Sequence, residues 1–212
     1  MECAWEREAE PTRDRPLCVL LPAVRAKLMT ANGEALKEVR RVLVFQYGSN
    51  CLESEINGPC RLLGDAKFVS IAETVEEFTL AFDVWSKQRS CAASDIVVQA
   101  GSKVWGVLYE VPNHLISRQT APSWRKSFDQ IEGEGNNYKH EMIKVCYQNG
   151  TVQSVRTYTV RHPISGIKTS IEYVGLIVRG LREHNIAVDY IDKVKEIAAA
   201  NNPLIDAEIR KL

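Results

Sequence analysis

The sequence predicts an α+β fold in which a curved sheet or small barrel is followed by helices. Short segments rich in β-branched and aromatic residues recur between residues 42 and 160, and turn-forming residues separate them. From residue 171 onward, apolar residues recur at helical spacing instead. Because the strands come first and the helices later, without regular alternation, the pattern favours α+β over a doubly wound sheet.

Seven segments have the composition and length of strands, and their spacing is typical of a curved sheet or small barrel. Turn signals such as Pro59, Gly64 and Gly101 lie between them. Asn149-Gly150 predicts a hairpin turn, because both residues tolerate a positive φ. The predicted strands are residues 42–46, 66–72, 78–82, 95–99, 103–111, 141–147 and 152–160.

Helix signals occur at four places. Asn113 is a candidate cap for a helix that begins at the next residue, and Ser123 is a candidate cap for a helix that carries residues 124–130. Apolar residues at helical spacing predict two further helices, at residues 171–178 and 190–198.

Composition and charge describe an ordinary globular protein. A chain of 212 residues can form one domain with a sizeable core. Lysine plus arginine (27) equals aspartate plus glutamate (27), so no overall field would attract nucleic acid. The six cysteines form no C-x-x-C pair, and no histidine lies near any of them at the spacing of zinc ligands. We therefore expect no metal site.

The first residues differ in composition from the remainder. Residues 1–16 are rich in charge and proline, so we expect a flexible leader over residues 1–41 and a single domain over residues 42–212. No apolar stretch is long enough to span a bilayer, and no clear secretory signal is present. We therefore expect a cytoplasmic protein with reduced cysteines and no membrane association.

Two segments predict a pocket with one working carboxylate. The apolar run at residues 42–45 ends abruptly in a polar turn at residues 46–50, where glycine and main-chain N–H groups allow close approach to a small anionic ligand. Glu132 lies at the C-terminal end of a predicted helix, where the helix dipole disfavours an acid. That cost suggests a function, although spacing alone leaves Asp129 and Glu134 as alternatives.

Other chemistries have weaker support. The four histidines are not accompanied by a G-x-S-x-G elbow, so a catalytic triad is not indicated, and Ser49 is interpreted as a binding group. Each tyrosine alone is more typical of a core or rim position than of a ligand. A more specific hypothesis is that several tyrosines act together in one binding site. The candidates are Tyr47, Tyr138, Tyr158 and Tyr173.

Three motifs in register resemble the γ-glutamylcyclotransferase family. Residues 47–50 resemble its Y-G-S-N signature, and residues 104–107 are similar to its central V-W-G-V strand. The D-x-x-E-G segment at residues 129–133, followed at short range by Tyr138, is similar to the segment that carries the catalytic glutamate of that family. Residues 171–190 resemble the helix, turn and second helix that end the vertebrate-type enzymes.

The resemblance implies a γ-glutamylcyclotransferase-like fold, a small mixed β-barrel flanked by helices, and an enzyme that needs no metal and no cofactor. Its substrate would be a γ-glutamyl amino acid, which the enzyme converts to 5-oxoproline and the free amino acid. The resemblance makes Glu132 the catalytic acid/base. The implied substrate-binding residues are Val44, Phe45, Gln46, Tyr47, Gly48, Ser49, Asn50, Tyr138 and Tyr173.

One segment departs from the family pattern, one residue points away from the glutathione-specific branch, and two alternatives remain. Asn50 differs from the apolar residue that is usual in the glutathione-specific branch, and residues 84–93 match poorly on the side that receives the acceptor group. The alternatives are an enzyme that cyclises γ-glutamyl-amines and a non-catalytic module that binds a γ-glutamyl metabolite. A homodimer is expected by family analogy alone.

Overall fold

The computed structural model describes residues 39–212. The predicted leader, residues 1–41, lies outside the described residues except at its last three positions. The strands follow the chain as β1 (Arg41–Gln46), β2 (Lys67–Thr74), β3 (Phe78–Ser86), β4 (Cys91–Val98), β5 (Trp105–Pro112), β6 (Tyr138–Tyr147) and β7 (Val152–Val160). The helices are α1 (Glu53–Ile56), α2 (Phe128–Glu132), α3 (Ile171–Glu183), α4 (Val188–Asn201) and α5 (Asp206–Ile209).

Five strands close into a barrel in the order β1-β5-β2-β6-β7. Neighbouring strands are antiparallel, except that β1 meets β7 in a parallel pairing that closes the barrel. Val44, Phe45 and Tyr109 are fully buried, as expected where barrel strands bury one face in the core and have the other covered by helices. The predicted α+β class and small mixed barrel are therefore confirmed.

β3 and β4 form a separate two-stranded sheet beside the barrel. β4 begins at Cys91, four residues before the predicted start, because pairing with β3 overrides the low strand propensity of the alanines and serine that open it. Asp83 lies in a bulge of β3, between Phe82 and Val84, where the register shifts. The turn at the tip of this hairpin uses a positive φ of 51° at Ser90.

The hairpin between β6 and β7 confirms the turn predicted from Asn149-Gly150. Gly150 has a φ of 81°, and its N–H donates to the carbonyl of Tyr147. Asn149 stabilises the turn differently, through its side-chain oxygen, which accepts from the N–H of Thr151. The glycine is therefore the residue that supplies the left-handed conformation.

The helix predicted over residues 124–130 is wrong, because α2 begins at Phe128 and is capped by Ser127. The side chain of Ser127 accepts from the N–H of Gln130, and the side chain of Gln130 accepts from the N–H of Ser127, which completes a capping box. Ser123 has a lysine three residues later and lacks that reciprocal acceptor. The helix predicted after Asn113 is also wrong, since only a single 3-10 turn, Asn113–Leu115, forms there.

The two predicted C-terminal helices are confirmed as α3 and α4. α3 packs closely against the 3-10 turn Ser49–Cys51, which follows β1. A side-chain carbon at Gly180 would lie 2.4 Å from the backbone nitrogen of Leu52, so glycine is needed there for space. This contact fixes the turn at the end of β1 against the helical layer.

Candidate active site

The turn that follows β1 presents its backbone to the interior of a cavity. The N–H of Cys51 donates to the carbonyl of Gly48 at 3.0 Å, which closes the 3-10 turn. The N–H groups of Ser49 and Asn50, at the start of that turn, have no acceptor among the described residues. A side-chain carbon at Gly48 would lie 2.2 Å from Ser94 Oγ, so a larger residue would push into the cavity.

α2 brings Glu132 to the same place. Gly133 has a φ of 72° and ends the helix, so Glu132 is its last residue. The Glu132 side chain is partly buried, and its Oε1 accepts a hydrogen bond of 2.6 Å from Asn50 Nδ2. Asn50 in turn accepts a hydrogen bond of 2.5 Å at its Oδ1 from Arg61 Nη2. The acid at the end of the helix is thus compensated by an amide and a cation from other segments.

Opposing influences act on the pKa of Glu132. Burial raises this pKa above its ordinary value, the charge of Arg61 and the hydrogen bond from Asn50 lower it, and the nearby Asp129 raises it. The net direction is upward. A carboxylate with a raised pKa is a stronger base than one in water, which is the property that proton abstraction requires.

Asp129 and Glu134, the two alternatives to Glu132, are engaged elsewhere. Asp129 Oδ1 accepts from Arg156 Nη2 at 2.7 Å and from the hydroxyl of Tyr158 at 2.7 Å. Glu134 lies 3.3 Å from the ring nitrogen of His140 on the outer face of the molecule. Glu132 is therefore the acid of this segment that faces the cavity.

Tyrosines and Ser94 form most of the remaining wall of an inner cavity of about 50 Å³. The hydroxyl of Tyr47 donates to the carbonyl of Tyr158, and the hydroxyl of Tyr138 donates to the carbonyl of Ser94 at 2.9 Å. The hydroxyl of Tyr173 accepts from the N–H of Ser94 at 3.1 Å. The lining residues are Gln46, Tyr47, Gly48, Ser49, Asn50, Ser94, Glu132, Tyr138, Tyr158 and Tyr173.

Burial raises the pKa of Tyr47 and of Tyr138 well above the ordinary value for a phenol. Both hydroxyls therefore stay protonated at neutral pH. Their protons are donated to backbone carbonyls, which fixes the two rings and leaves their oxygens as acceptors. The aromatic wall is therefore rigid and uncharged.

A larger outer cleft of about 250 Å³ adjoins the inner cavity, with which it shares Glu132 and Tyr138. The tip of the β3–β4 hairpin, with Trp85, Lys87 and Arg89, forms one side of it. Arg89 is held by Glu55 of α1, with an N–O distance of 2.5 Å. The segment that matches the family poorly, residues 84–93, thus contributes one wall of the outer cleft.

Most of the residues predicted from the sequence line the inner cavity. Val44 and Phe45 do not, because both side chains are fully buried, on opposite faces of β1, and neither contributes to the cavity wall. Ser94 and Arg61 carry no recognisable sequence signal: Ser94 lies within a strand, and Arg61 lies in a loop. Tyr158 was one of the candidate tyrosines, and its place in the wall follows from the pairing of β6 with β7.

Residues 39–212 lack two features, a metal-binding cluster and a membrane-spanning helix. Within this range, no group of three or more His, Cys, Asp and Glu side chains is placed to hold a metal ion. No helix formed by these residues is both long enough and apolar enough to cross a membrane.

The fold is that of the γ-glutamylcyclotransferase-like class. Residues 103–194 match the AIG2-like family. A crystal structure of the uncharacterized protein loc79017 from Homo sapiens is similar to this chain, with 26% identity and a TM-score of 0.62 over 73% of this chain and 86% of that one. A structure named gamma-glutamyl cyclotransferase has 24% identity and a TM-score of 0.62 over 82% of this chain and 100% of that chain.

A third solved structure, YkqA from Bacillus subtilis, is 20% identical with a TM-score of 0.60, over 76% of this chain and 55% of that one. No curated protein sequence matches the chain significantly. Together, the match over residues 103–194 and the similar structures show that this chain has a γ-glutamylcyclotransferase-like fold.

Proposed function

We propose that this protein is a γ-glutamylcyclotransferase that converts a γ-glutamyl amino acid to 5-oxoproline and the free amino acid. One observation carries the proposal: the carboxylate of Glu132 is held by Asn50 of the 46–50 turn, at the edge of a cavity walled by tyrosines. The same cavity therefore offers a base beside backbone donors. The similarity of the fold to a gamma-glutamyl cyclotransferase supports this choice of chemistry.

The reaction is intramolecular. The α-amine of the glutamyl group attacks its own γ-carbonyl carbon, a carbon–nitrogen bond closes the five-membered lactam, and the original γ-amide bond breaks. Because nucleophile and electrophile belong to one molecule, the main task of the enzyme is to fold the glutamyl chain, and such orientation is worth up to ~7 to 11 kcal/mol. A rigid aromatic wall suits this task.

Glu132 moves the proton in this mechanism. An α-amine with a pKa near ~8 is largely ammonium at neutral pH, so a base must remove a proton before or during attack. Oε1 of Glu132 is held by Asn50, whereas Oε2 makes no hydrogen bond with any described residue. Oε2 therefore accepts the proton of the amine and passes it to the nitrogen that leaves.

The turn at residues 46–50 binds the acidic end of the substrate. The N–H groups of Ser49 and Asn50 are the donors that have no acceptor in the structure described for residues 39–212. Backbone donors of this kind hold a carboxylate or stabilise the oxyanion that forms at the γ-carbonyl, a contribution of roughly 3 kcal/mol per donor. The glycine at position 48 keeps the space above these donors open.

The test is the variant Glu132→Gln, which keeps the shape of the side chain and removes the base. We expect it to fold and to bind a γ-glutamyl dipeptide, but to lose about 100-fold or more in kcat for 5-oxoproline release. Glu134→Gln is the matched control, because this acid lies two residues away and faces His140 instead of the cavity. If Glu132→Gln kept its activity, the assignment would be refuted.

The outer cleft leaves a second candidate, an enzyme that cyclises γ-glutamyl-amines, because its wall is the segment that departs from the family. Release of 5-oxoproline from γ-glutamyl-alanine and from γ-glutamyl-ε-lysine, measured side by side, separates the two enzymes. A non-catalytic module would bind both compounds and release no product from either. The homodimer stays a prediction by family analogy, which sedimentation would test.

A further inference from the structure

We infer that Arg61 is a positioning residue for Glu132, acting through Asn50 as a hydrogen-bonded relay of guanidinium, amide and carboxylate. The inference rests on the proposed function and adds a residue that no motif contains. Arg61 comes from the loop between α1 and β2, Asn50 from the turn after β1, and Glu132 from the end of α2. We call these three residues the relay.

The relay is defined by two short hydrogen bonds that run in one direction. Arg61 Nη2 donates to Asn50 Oδ1 at 2.5 Å, and Asn50 Nδ2 donates to Glu132 Oε1 at 2.6 Å. Asn50 is 5% exposed, so the bridging amide is shielded from water. In such a place hydrogen bonds polarise one another, and the positive end strengthens the donor that faces the carboxylate.

Arg61 also decides which way the amide of Asn50 points. A guanidinium has only donors, so it must face the oxygen of the amide, and the NH₂ group is then turned toward Glu132. Without that constraint the amide is free to rotate by half a turn and present its oxygen to the carboxylate. That orientation repels an ionised glutamate and accepts a hydrogen bond from a protonated one.

The relay therefore holds Glu132 in its ionised form and fixes one of its two oxygens. Burial raises the pKa of Glu132, and Arg61 is the largest of the influences that lower it. The result is a carboxylate whose pKa is raised, as a base requires, but less than burial alone would raise it. Loss of Arg61 removes the influence that balances burial.

The other charged groups near Glu132 are either paired with a partner or lie at the exposed surface. Asp129, on the same helix, raises the pKa of Glu132 but is paired with Arg156, and Arg89 of the outer cleft is paired with Glu55. Lys87 lies on the exposed tip of the hairpin and makes no ion pair with a described residue. The phenols that share the inner cavity with Glu132 are Tyr47, Tyr138, Tyr158 and Tyr173.

The experiment compares pH profiles of kcat/KM for 5-oxoproline release. In Arg61→Met the acid limb, which reports the base of the free enzyme, is expected to move to higher pH by about one unit, with activity largely recovered at alkaline pH. Arg61→Lys keeps the charge and is expected to show a smaller displacement. The pKa of the substrate amine is the same for every variant and cancels in the comparison.

Arg125→Met is the matched control. Arg125 also ties the loop before β2, through a contact of 2.7 Å with Asp65 and one of 2.8 Å with the carbonyl of Leu62, but it has no link to Glu132. A purely structural role for Arg61 predicts that both variants lose activity equally at every pH, with the acid limb unmoved. That result overturns the inference. An Arg61→Met variant that is active and has an unchanged acid limb also overturns it.

Failure of the proposed function is recognised separately. If the wild-type protein releases no 5-oxoproline from any γ-glutamyl compound, the proposed function fails. The relay is then tested by the infrared titration of the Glu132 carboxyl, taken as the difference between each protein and its Glu132→Gln form. An increase of the pKa in Arg61→Met supports the relay, and an unchanged pKa rejects it.

Discussion

Substitution of Gly180 tests whether close packing of α3 against the turn after β1 stabilises the protein. In Gly180→Ala the new carbon would lie 2.4 Å from the nitrogen of Leu52 and 2.6 Å from the carbonyl carbon of Cys51. Both are backbone atoms, so the conflict cannot be relieved by rotation of a side chain. The helix and the turn must move apart by several tenths of an ångström or more.

Two effects of opposite sign determine the change in the free energy of unfolding of Gly180→Ala. Alanine is a better helix former than glycine by about 1 kcal/mol, which favours the variant. Overpacking against a rigid neighbour costs about 1 to 3 kcal/mol, and a backbone contact belongs at the upper end of that range. The clash therefore wins, and we expect the free energy of unfolding of Gly180→Ala to fall by about 2 kcal/mol.

Gly175 provides the matched control on the same helix. A side-chain carbon there would meet only the end of the Leu212 side chain, at 3.7 Å, which is an ordinary contact. Gly175→Ala should therefore gain the helix propensity without the clash and become more stable by up to about 1 kcal/mol. Urea denaturation of both variants measures the difference, expected to be about 3 kcal/mol. Equal stability of the two variants would show that the close contact at Gly180 does not affect the free energy of unfolding.

Two further predictions concern the β3–β4 hairpin. Burial raises the pKa of Asp95 to about 6, so the carboxylate is disfavoured in the native state and stability falls as the pH rises from about 4 through 6. Asp95→Asn should therefore be more stable than wild type at pH 8, by on the order of 2 kcal/mol, with no gain in stability at pH 4. Thermal melts at the two pH values measure this difference, and an equal gain at both would show that the charge of Asp95 is not the cause. Glu55→Gln releases Arg89 at the hairpin tip and should raise the KM for γ-glutamyl dipeptides several-fold with little change in kcat. A fall in kcat with constant KM would show that the hairpin acts on the chemistry instead.

The sequence alone identified the elements whose signals are local. Strand composition, turn residues and helical periodicity located the barrel strands, the Asn149-Gly150 turn and the two C-terminal helices. The capping box at Ser127 and Gln130 is also a local signal, and it would have corrected the predicted start of α2. The motif at residues 47–50 was found in the same way, whereas the choice of Glu132 over Asp129 and Glu134 came from the family resemblance.

Tertiary structure decided which of these groups meet. Strand alternation does not show that Val44 and Phe45 are both fully buried while the next residues line a cavity, because that depends on how the barrel closes and what covers it. Arg61 has no motif around it, and it reaches Asn50 only after the loop before β2 is folded. The sequence by itself therefore determined the fold class and the residues available for chemistry. Only the packed structure determined the environment of Glu132, because burial and contacts between distant segments set its pKa.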